Sequence, residues 1–379
     1  MTVDMTFFPV DNGDMTLVAL ESGRNILIDI NIRSHADDPD GDAPDVSTQL
    51  RDKLPRDYQG RLYVDAFLLS HPDQDHCRGL ATHFHLGSLD EWSKEDDKIL
   101  IREMWSSPIV FRRASRDHTL CEDAKAWNAE ARRRVKYYRD GHPATNGERI
   151  LILGEDEDGK TDDLTAILVK VDDTFSLVNG AEDESLVVRL LAPLPINDDE
   201  ATLSKNKSST IVQLALAADG EPEKCLFLTG GDAEVAIWEK LWQRHAHNAE
   251  VLAYHVLLTP HHCSWHSLSY DSWSEKGEDA QICQEARKAL SQAKPGATLV
   301  ASSKSVVDDD NDPPCIRAKL DYDEIADDCG GIFECVGDNS PQALEIEVGP
   351  NGPKLRAKRL AAAATLSSGV VGSQPVGHG

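Results

Sequence analysis

The stretch Leu68 to Leu80, LLSHPDQDHCRGL, constrains this chain more than any other. In it His71, Asp73, Asp75 and His76 set four metal-competent side chains within six positions. The largely apolar run Val64 to Leu69 precedes them, bounded by turn residues, and reads as a buried strand. Ligands at the exit of a rigid strand are held in place, while the loop after them is free to wrap an ion. Imidazole suits zinc or manganese, and added carboxylate moves the preference toward harder ions such as manganese or magnesium. An ordinary polar turn accounts for one His or one Asp. It does not account for Asp interleaved with His in H-x-D-x-D-H order behind a strand.

Two later stations repeat the strand-then-ligand pattern. Cys225 to Leu228 reads as a strand that ends in Thr229-Gly230-Gly231-Asp232. Glycine there lets the backbone pass close to an ion and deliver Asp232 to it. The competing reading makes Asp232 the N-cap of a helix over Ala233 to Arg244. Val256 to Leu258 is again a strand, followed by Thr259-Pro260-His261-His262-Cys263-Ser264.

H-x-D-x-D-H resembles the second motif of metallo-β-lactamase-fold hydrolases, H-x-H-x-D-H, with Asp73 at the middle-histidine position. Ser70, His71, Asp73, Asp75, His76 and Gly79 together are similar to the S-H-x-D-x-D-H-x-x-G form found in the hydrolase domain of ComEC-type competence proteins. The third station resembles the family's H-H-G-S motif, with Cys263 in the glycine position, where a side chain would narrow the pocket or soften the metal preference. The resemblance implies two divalent ions, zinc or manganese. His71 and Asp73 would serve one ion; Asp75, His76 and one of His261 and His262 the other; Asp232 would lie between. The remaining histidine of the pair would meet substrate or protonate a leaving group, and the sequence does not choose between them. Asp75 would orient the attacking water, so Asp75, His261 and His262 are the catalytic candidates.

The resemblance extends to supporting positions. Asp29, at the end of Leu27-Ile28-Asp29, would brace the metal loop from beneath, or is a plain strand-terminal Asp. Asn206 and Ser209 loosely match N-x-x-S-x-V, and with Ser264 they are candidates to contact substrate or to orient carboxylates. Asn12 replaces the first glycine of the family's G-x-G-D turn, Ile30-Asn31 its Gly-Gly, and Pro313-Pro314 its H-P. The extra histidine that many relatives place between the second and fourth motifs has no clear counterpart; His118 and His142 are the candidates, and His266 is a spare candidate beside His261 and His262 that reads first as a surface residue.

The fold implied is α/β (α+β): an αββα metallo-β-lactamase sandwich over residues 1–358, with a helical, basic insertion at about 91–161 and a disordered tail at 359–379. Within it strands are expected at Phe7–Val10, Thr16–Leu20, Asn25–Ile30, Leu164–Val171 and Ser185–Leu191. Helices are expected near 47–54 and at Asp279–Lys294 and Pro313–Asp327.

Charge matters for the insertion. The chain carries 39 Lys and Arg against 66 Asp and Glu, a net charge of -27. Such a surface repels nucleic acid unless a local patch or bound metal offsets it. Between Arg102 and Arg139 ten basic residues face five acidic ones, and a helix over Ala124 to Tyr138 would carry Arg132, Lys136 and Arg139 beside Tyr137 and Tyr138. The segment Arg112 to Arg139 could hold a phosphoester substrate, nucleic acid or nucleotide, with tyrosines stacking on bases. It could equally dock on the acidic body or meet a protein partner. Eight scattered cysteines without C-x-x-C, a start unlike a signal peptide and no run of about 18 apolar residues point to a cytoplasmic protein with no membrane partner. The function expected is metal-dependent hydrolysis, first of all by a phosphodiesterase or nuclease. The alternatives are a degenerate metal-binding scaffold acting through protein partners in a multi-protein bacterial system, and a lactone or ester hydrolase.

Overall fold

The strand Tyr63–Leu69 explains the layering. Ala66 and Leu68 point into one hydrophobic cluster, Phe67 and Leu69 into another, and all four are buried. A strand apolar on both faces has to be covered on both. In the computed structural model, which describes residues 2–34, 43–111, 120–155, 159–194 and 209–356, one face meets a second sheet and the other meets helices.

Across the first sheet the strands run in the order Gly352–Leu355, Leu344–Gly349, Val3–Phe7, Thr16–Ala19, Asn25–Ile28, Tyr63–Leu69, Ile99–Ser106, Arg149–Leu153 and Leu168–Val169. The second sheet runs Thr174–Phe175, Leu186–Ala192, Ile211–Ala218, Glu221–Leu228, Tyr254–Leu258, Ala293–Ala301 and Ile332–Cys335. Between them lies a core drawn from both, including Met5, Phe7, Leu68, Leu214, Phe227 and Val256. Phe7 and Phe227 meet edge to face across it, centroids 5.8 Å apart. Outside the first sheet lie the helices Val46–Lys53 and Glu122–Arg139, the latter burying Ala124, Trp127, Ala131 and Val135 at helical spacing. Outside the second lie Val235–His245, Gln284–Leu290 and Ile316–Asp328. This is an αββα sandwich of the metallo-hydrolase type. No described helix is long and apolar enough to cross a membrane.

The helical insertion is stitched into the sandwich rather than hung on it. Within it Ile99–Ser106 pairs in parallel with Tyr63–Leu69, and Arg149–Leu153 pairs in parallel with Ile99–Ser106. Several expected elements shift. The first strand is Val3–Phe7, where Val3, Met5 and Phe7 alternate inward, and Phe8 and Val10 are buried beyond its end. Only Leu168–Val169 of Leu164–Val171 joins a sheet. The helix expected at Asp279–Lys294 shrinks to Gln284–Leu290, because Lys294 belongs to the next strand. The helix expected from Pro313 starts at Ile316, with Cys315 as its N-cap. The tail 359–379 lies outside the described residues.

The parallel strands Tyr63–Leu69, Glu221–Leu228 and Tyr254–Leu258 send their carboxyl ends to the same rim of the sandwich. Backbone bonds tie their exit loops together: Thr210 N–H to Ser70 O at 2.9 Å and His261 N–H to Gly231 O at 2.8 Å. Crevices at such strand ends are where α/β sheets place their ligands.

Candidate metal centre

Asp232 is the hub. Its Oδ2 lies 3.4 Å from His71 Nε2 and 3.8 Å from His261 Nε2; its Oδ1 lies 2.9 Å from His76 Nε2 and 3.4 Å from His262 Nε2. Asp73 adds Oδ2 at 3.7 Å from His71 Nε2, and Asp75 adds Oδ2 at 3.5 Å from His262 Nε2. Two lobes therefore share one carboxylate. The first holds His71, Asp73 and His261; the second holds Asp75, His76 and His262.

The loops that achieve this are backbone-limited. Gly231 has φ +46°, and a Cβ on Gly230 would meet Pro260 Cβ at 2.7 Å. The helix after them begins at Val235 with Glu234 as its N-cap, so Asp232 is not the cap. His261, His262 and Cys263 have φ of 53°, 53° and 68°, three consecutive left-handed non-glycine residues. Such strain persists only where the surroundings impose it, typically at functional sites. Cys263 accepts the backbone of the family's glycine, and its side chain is buried in the hydrophobic cluster behind the second sheet. It does not narrow the site.

Each histidine of the second lobe is braced on its far nitrogen. His76 Nδ1 is 2.8 Å from Asp29 Oδ2, and His262 Nδ1 is 3.4 Å from Asp14 Oδ1. Asp29 also accepts from Ser70 N–H at 2.7 Å and Ser70 Oγ–H at 2.6 Å. His71 Nδ1 has only the Ser70 hydroxyl, at 3.1 Å. A carboxylate behind a ligating imidazole fixes its orientation and raises its basicity.

Asp14 is the residue sequence reasoning missed. Donor atoms of Asp14, His76, Asp232 and His262, all buried, lie within 4.8 Å of one another. Asp14 nevertheless approaches the Nδ1 side of both histidines, away from Asp232, and so acts as an orienting residue. The available signal was Gly13-Asp14: a Cβ on Gly13 would strike Asp75 O at 2.7 Å, so this turn is pressed against the metal loop.

These residues fit divalent cations. The Nε2 atoms of His71, His76 and His262 and Oδ1 of Asp232 are buried without hydrogen bonds. Orphaned donors and buried carboxylates cost too much to persist without a charge to share. Protonation follows the same crowding. Burial opposes charge on His262, yet Asp232, Asp14 and Asp75 outweigh it and lift the imidazole to about 10. His76 moves up against burial for the same reason, through Asp232 and Asp29. Asp232 and Asp75 are driven down, against their own burial, by the histidines around them. His261 goes the other way: burial lowers it, outweighing Asp232.

The other candidates are placed elsewhere. Ser209 and Ser264, candidates for substrate contact, are both buried and engaged with backbone: Ser209 Oγ accepts from Asp232 N–H at 3.1 Å, and Ser264 Oγ accepts from His266 N–H at 3.1 Å. Asn206 and His118 lie outside the described residues. His142 packs on Tyr137, centroids 4.5 Å apart, and His266 faces Asp312; neither joins the cluster.

The insertion's cations are largely committed to protein. Arg102 pairs with Asp65, Lys125 with Glu122, Arg133 with Glu130 and Glu148, Arg134 with Glu130, Lys136 with Asp140, and Arg139 with Asp163. Arg132 Nε donates to Val110 O at 2.6 Å. Arg112, Arg113 and Arg116 lie outside the described residues.

No protein-family model matches the chain. No curated protein matches it either. Among solved structures it is similar to zinc-bound PqqB from Methylobacterium extorquens, at 12% identity over 84% of each chain with a TM-score of 0.40. It is also similar to a protein of Parabacteroides distasonis provisionally described as a metal-dependent hydrolase, at 10% identity over 88% of this chain and 93% of that one, TM-score 0.37. At that level of likeness the reading of this chain rests on its own sheets and its own side chains. Those give a metallo-hydrolase-type fold with a metal-binding cluster.

Proposed function

We propose that the protein is a phosphodiesterase that works with two divalent ions, zinc or manganese, one in each lobe about Asp232. The observation that carries this is the carboxylate-rich pair of lobes: three aspartates and four histidines converge from three strand exits on one buried oxygen pair. Ions held there would lower the pKa of bound water and stabilise the oxygens of an in-line displacement. The similarity of Ser70 to Gly79 to the ComEC-type motif supports phosphoester chemistry over lactone or ester hydrolysis.

The chain's own residues set the direction of approach. His71, His76 and His262 form the floor, while the side chains of Asp75, Asp73 and His261 are 35%, 23% and 17% exposed. Substrate enters over those three. Asp75 is ionised, accepts a proton-side hydrogen bond from the attacking water and sets its angle. His262 belongs to the second lobe; His261, whose pKa burial lowers, completes the first and is the histidine on the side from which substrate enters.

All seven described basic residues from Arg102 to Arg139 have protein partners, which favours a small phosphodiester over a long nucleic acid. The test is hydrolysis of bis-p-nitrophenyl phosphate by metal-stripped protein resupplied with manganese or zinc. Metal-dependent turnover, lost in Asp75→Ala and His76→Ala, is expected. Bound metal without turnover on this ester would turn the reading to carboxylic esters and then to a scaffold for a protein partner.

A further inference from the structure

Behind the metal loop two thiols face each other. Cys77, the residue after His76, and Cys121 have sulfurs 3.6 Å apart although 44 positions separate them in the chain. Cys77 is fully buried and donates its thiol hydrogen to Asp73 O at 3.0 Å, inside the loop that carries the ligands. Cys121 is half-buried and is the N-cap of the 18-residue helix Glu122–Arg139, its sulfur accepting from Ala124 N–H at 3.4 Å. That position is ordinarily filled by Ser, Thr, Asp or Asn. The next residue but one, Asp123, accepts from Gly79 N–H and Ala81 N–H, both at 2.9 Å, so this helix start already grips the chain leaving the metal motif.

We propose that Cys77 and Cys121 are a reversible thiol–disulfide pair whose oxidation loosens the metal loop. The oxidant is hydrogen peroxide. Cys121, the accessible sulfur, attacks the peroxide oxygen; the O–O bond breaks, and a sulfenic acid and water result. Cys77 sulfur then attacks the sulfenic sulfur, the S–S bond forms, the S–O bond breaks and a second water leaves. Two thiols lose two electrons and two protons in all, and one peroxide is reduced. The Ala124 N–H points at the Cys121 sulfur, which suits a thiolate in the attacking role.

The consequence for the loop is geometric. A disulfide needs sulfurs about 2.0 Å apart, so the turn Gln74–Cys77 is drawn toward the long helix. Cys77 also loses the hydrogen it gives to Asp73 O. Both changes reach the backbone between Asp73 and His76, which sets where those ligands point.

The test treats reduced, metal-free protein with hydrogen peroxide, blocks remaining thiols, and maps the peptides by mass spectrometry. In parallel, zinc affinity is measured by competition with a chromophoric chelator. The expected result is one cross-linked peptide joining Cys77 to Cys121 and a zinc affinity lower by about tenfold or more, both reversed by dithiothreitol. Cys121→Ser keeps a good cap, and should show neither the cross-link nor any change on peroxide treatment. Sulfinic acid at Cys121 without a cross-link overturns the pair, and a cross-link with unchanged zinc affinity overturns its link to the loop. Neither readout uses substrate, so the outcome is independent of the phosphodiesterase reading.

Discussion

The two lobes about Asp232 use the same ligand types and are built to different standards. In the second lobe both imidazoles are fully buried, and each has a carboxylate behind it, Asp29 for His76 and Asp14 for His262. In the first, His71 leans on a neutral hydroxyl, and His261 is part-exposed with a buried Nδ1 that makes no hydrogen bond. A ligand whose rotamer is fixed beforehand loses less freedom on binding, and a carboxylate behind it makes it a stronger donor. On the proposed two-ion reading the second lobe is the tighter site and the first, with the more exposed histidine, the exchangeable one.

The sharpest break comes from the shared carboxylate. Asp232→Ala removes a donor from both lobes at once, and elemental analysis after dialysis should find both ions lost, a larger effect than the roughly 10- to 100-fold typical of a supporting residue. Retention of one ion would mean that one lobe stands without Asp232. Next are the braces. Asp14→Asn should weaken only the tighter step of a zinc titration, by about 10-fold or more. Asp29→Asn should weaken both steps, because Asp29 also holds Ser70 and through it His71. Equal effects of the two substitutions on both steps would erase the distinction between lobes.

The smallest effect is pH dependence. With His262 raised to about 10, the metal-free protein carries a proton there that an ion must displace. Zinc affinity should therefore rise by about tenfold per pH unit for each proton displaced as pH climbs toward 10. In the metal-free protein the sign reverses for stability. The His262 contribution is complete below its ordinary value of about 6.5 and is lost as pH rises through about 10. A flat zinc profile between pH 7 and 9 would place His262 outside the ligand set.

The stretch from Arg102 to Arg139 teaches the opposite lesson to the metal loop. Its surplus of positive charge is evident in the sequence, but the sequence does not say where the acids lie. Glu130 sits between Arg133 and Arg134, Glu148 reaches back to Arg133, and Asp163 meets Arg139. A charge run read along the chain overlooks partners that pair across turns and strands, and the described part of this one is neutralised largely within the fold.

What the sequence determined by itself was the local grammar: a buried strand followed by ligands, three times over, with glycine where backbone had to pass close. Strand exits and H-x-D-x-D-H spacing are short-range properties, fixed by alternation and by the few residues of a loop. The division of labour was decided only by tertiary structure. Which lobe takes His261 and which takes His262 depends on the left-handed turn of their loop against Gly231, and the role of Asp14 depends on a turn 61 positions before Asp75 pressing onto its carbonyl. Ser209 and Ser264 turned inward because backbone N–H groups at the loop bases needed acceptors. These are contacts between segments far apart in the chain, where no spacing rule applies and only the packing of two sheets sets the distance.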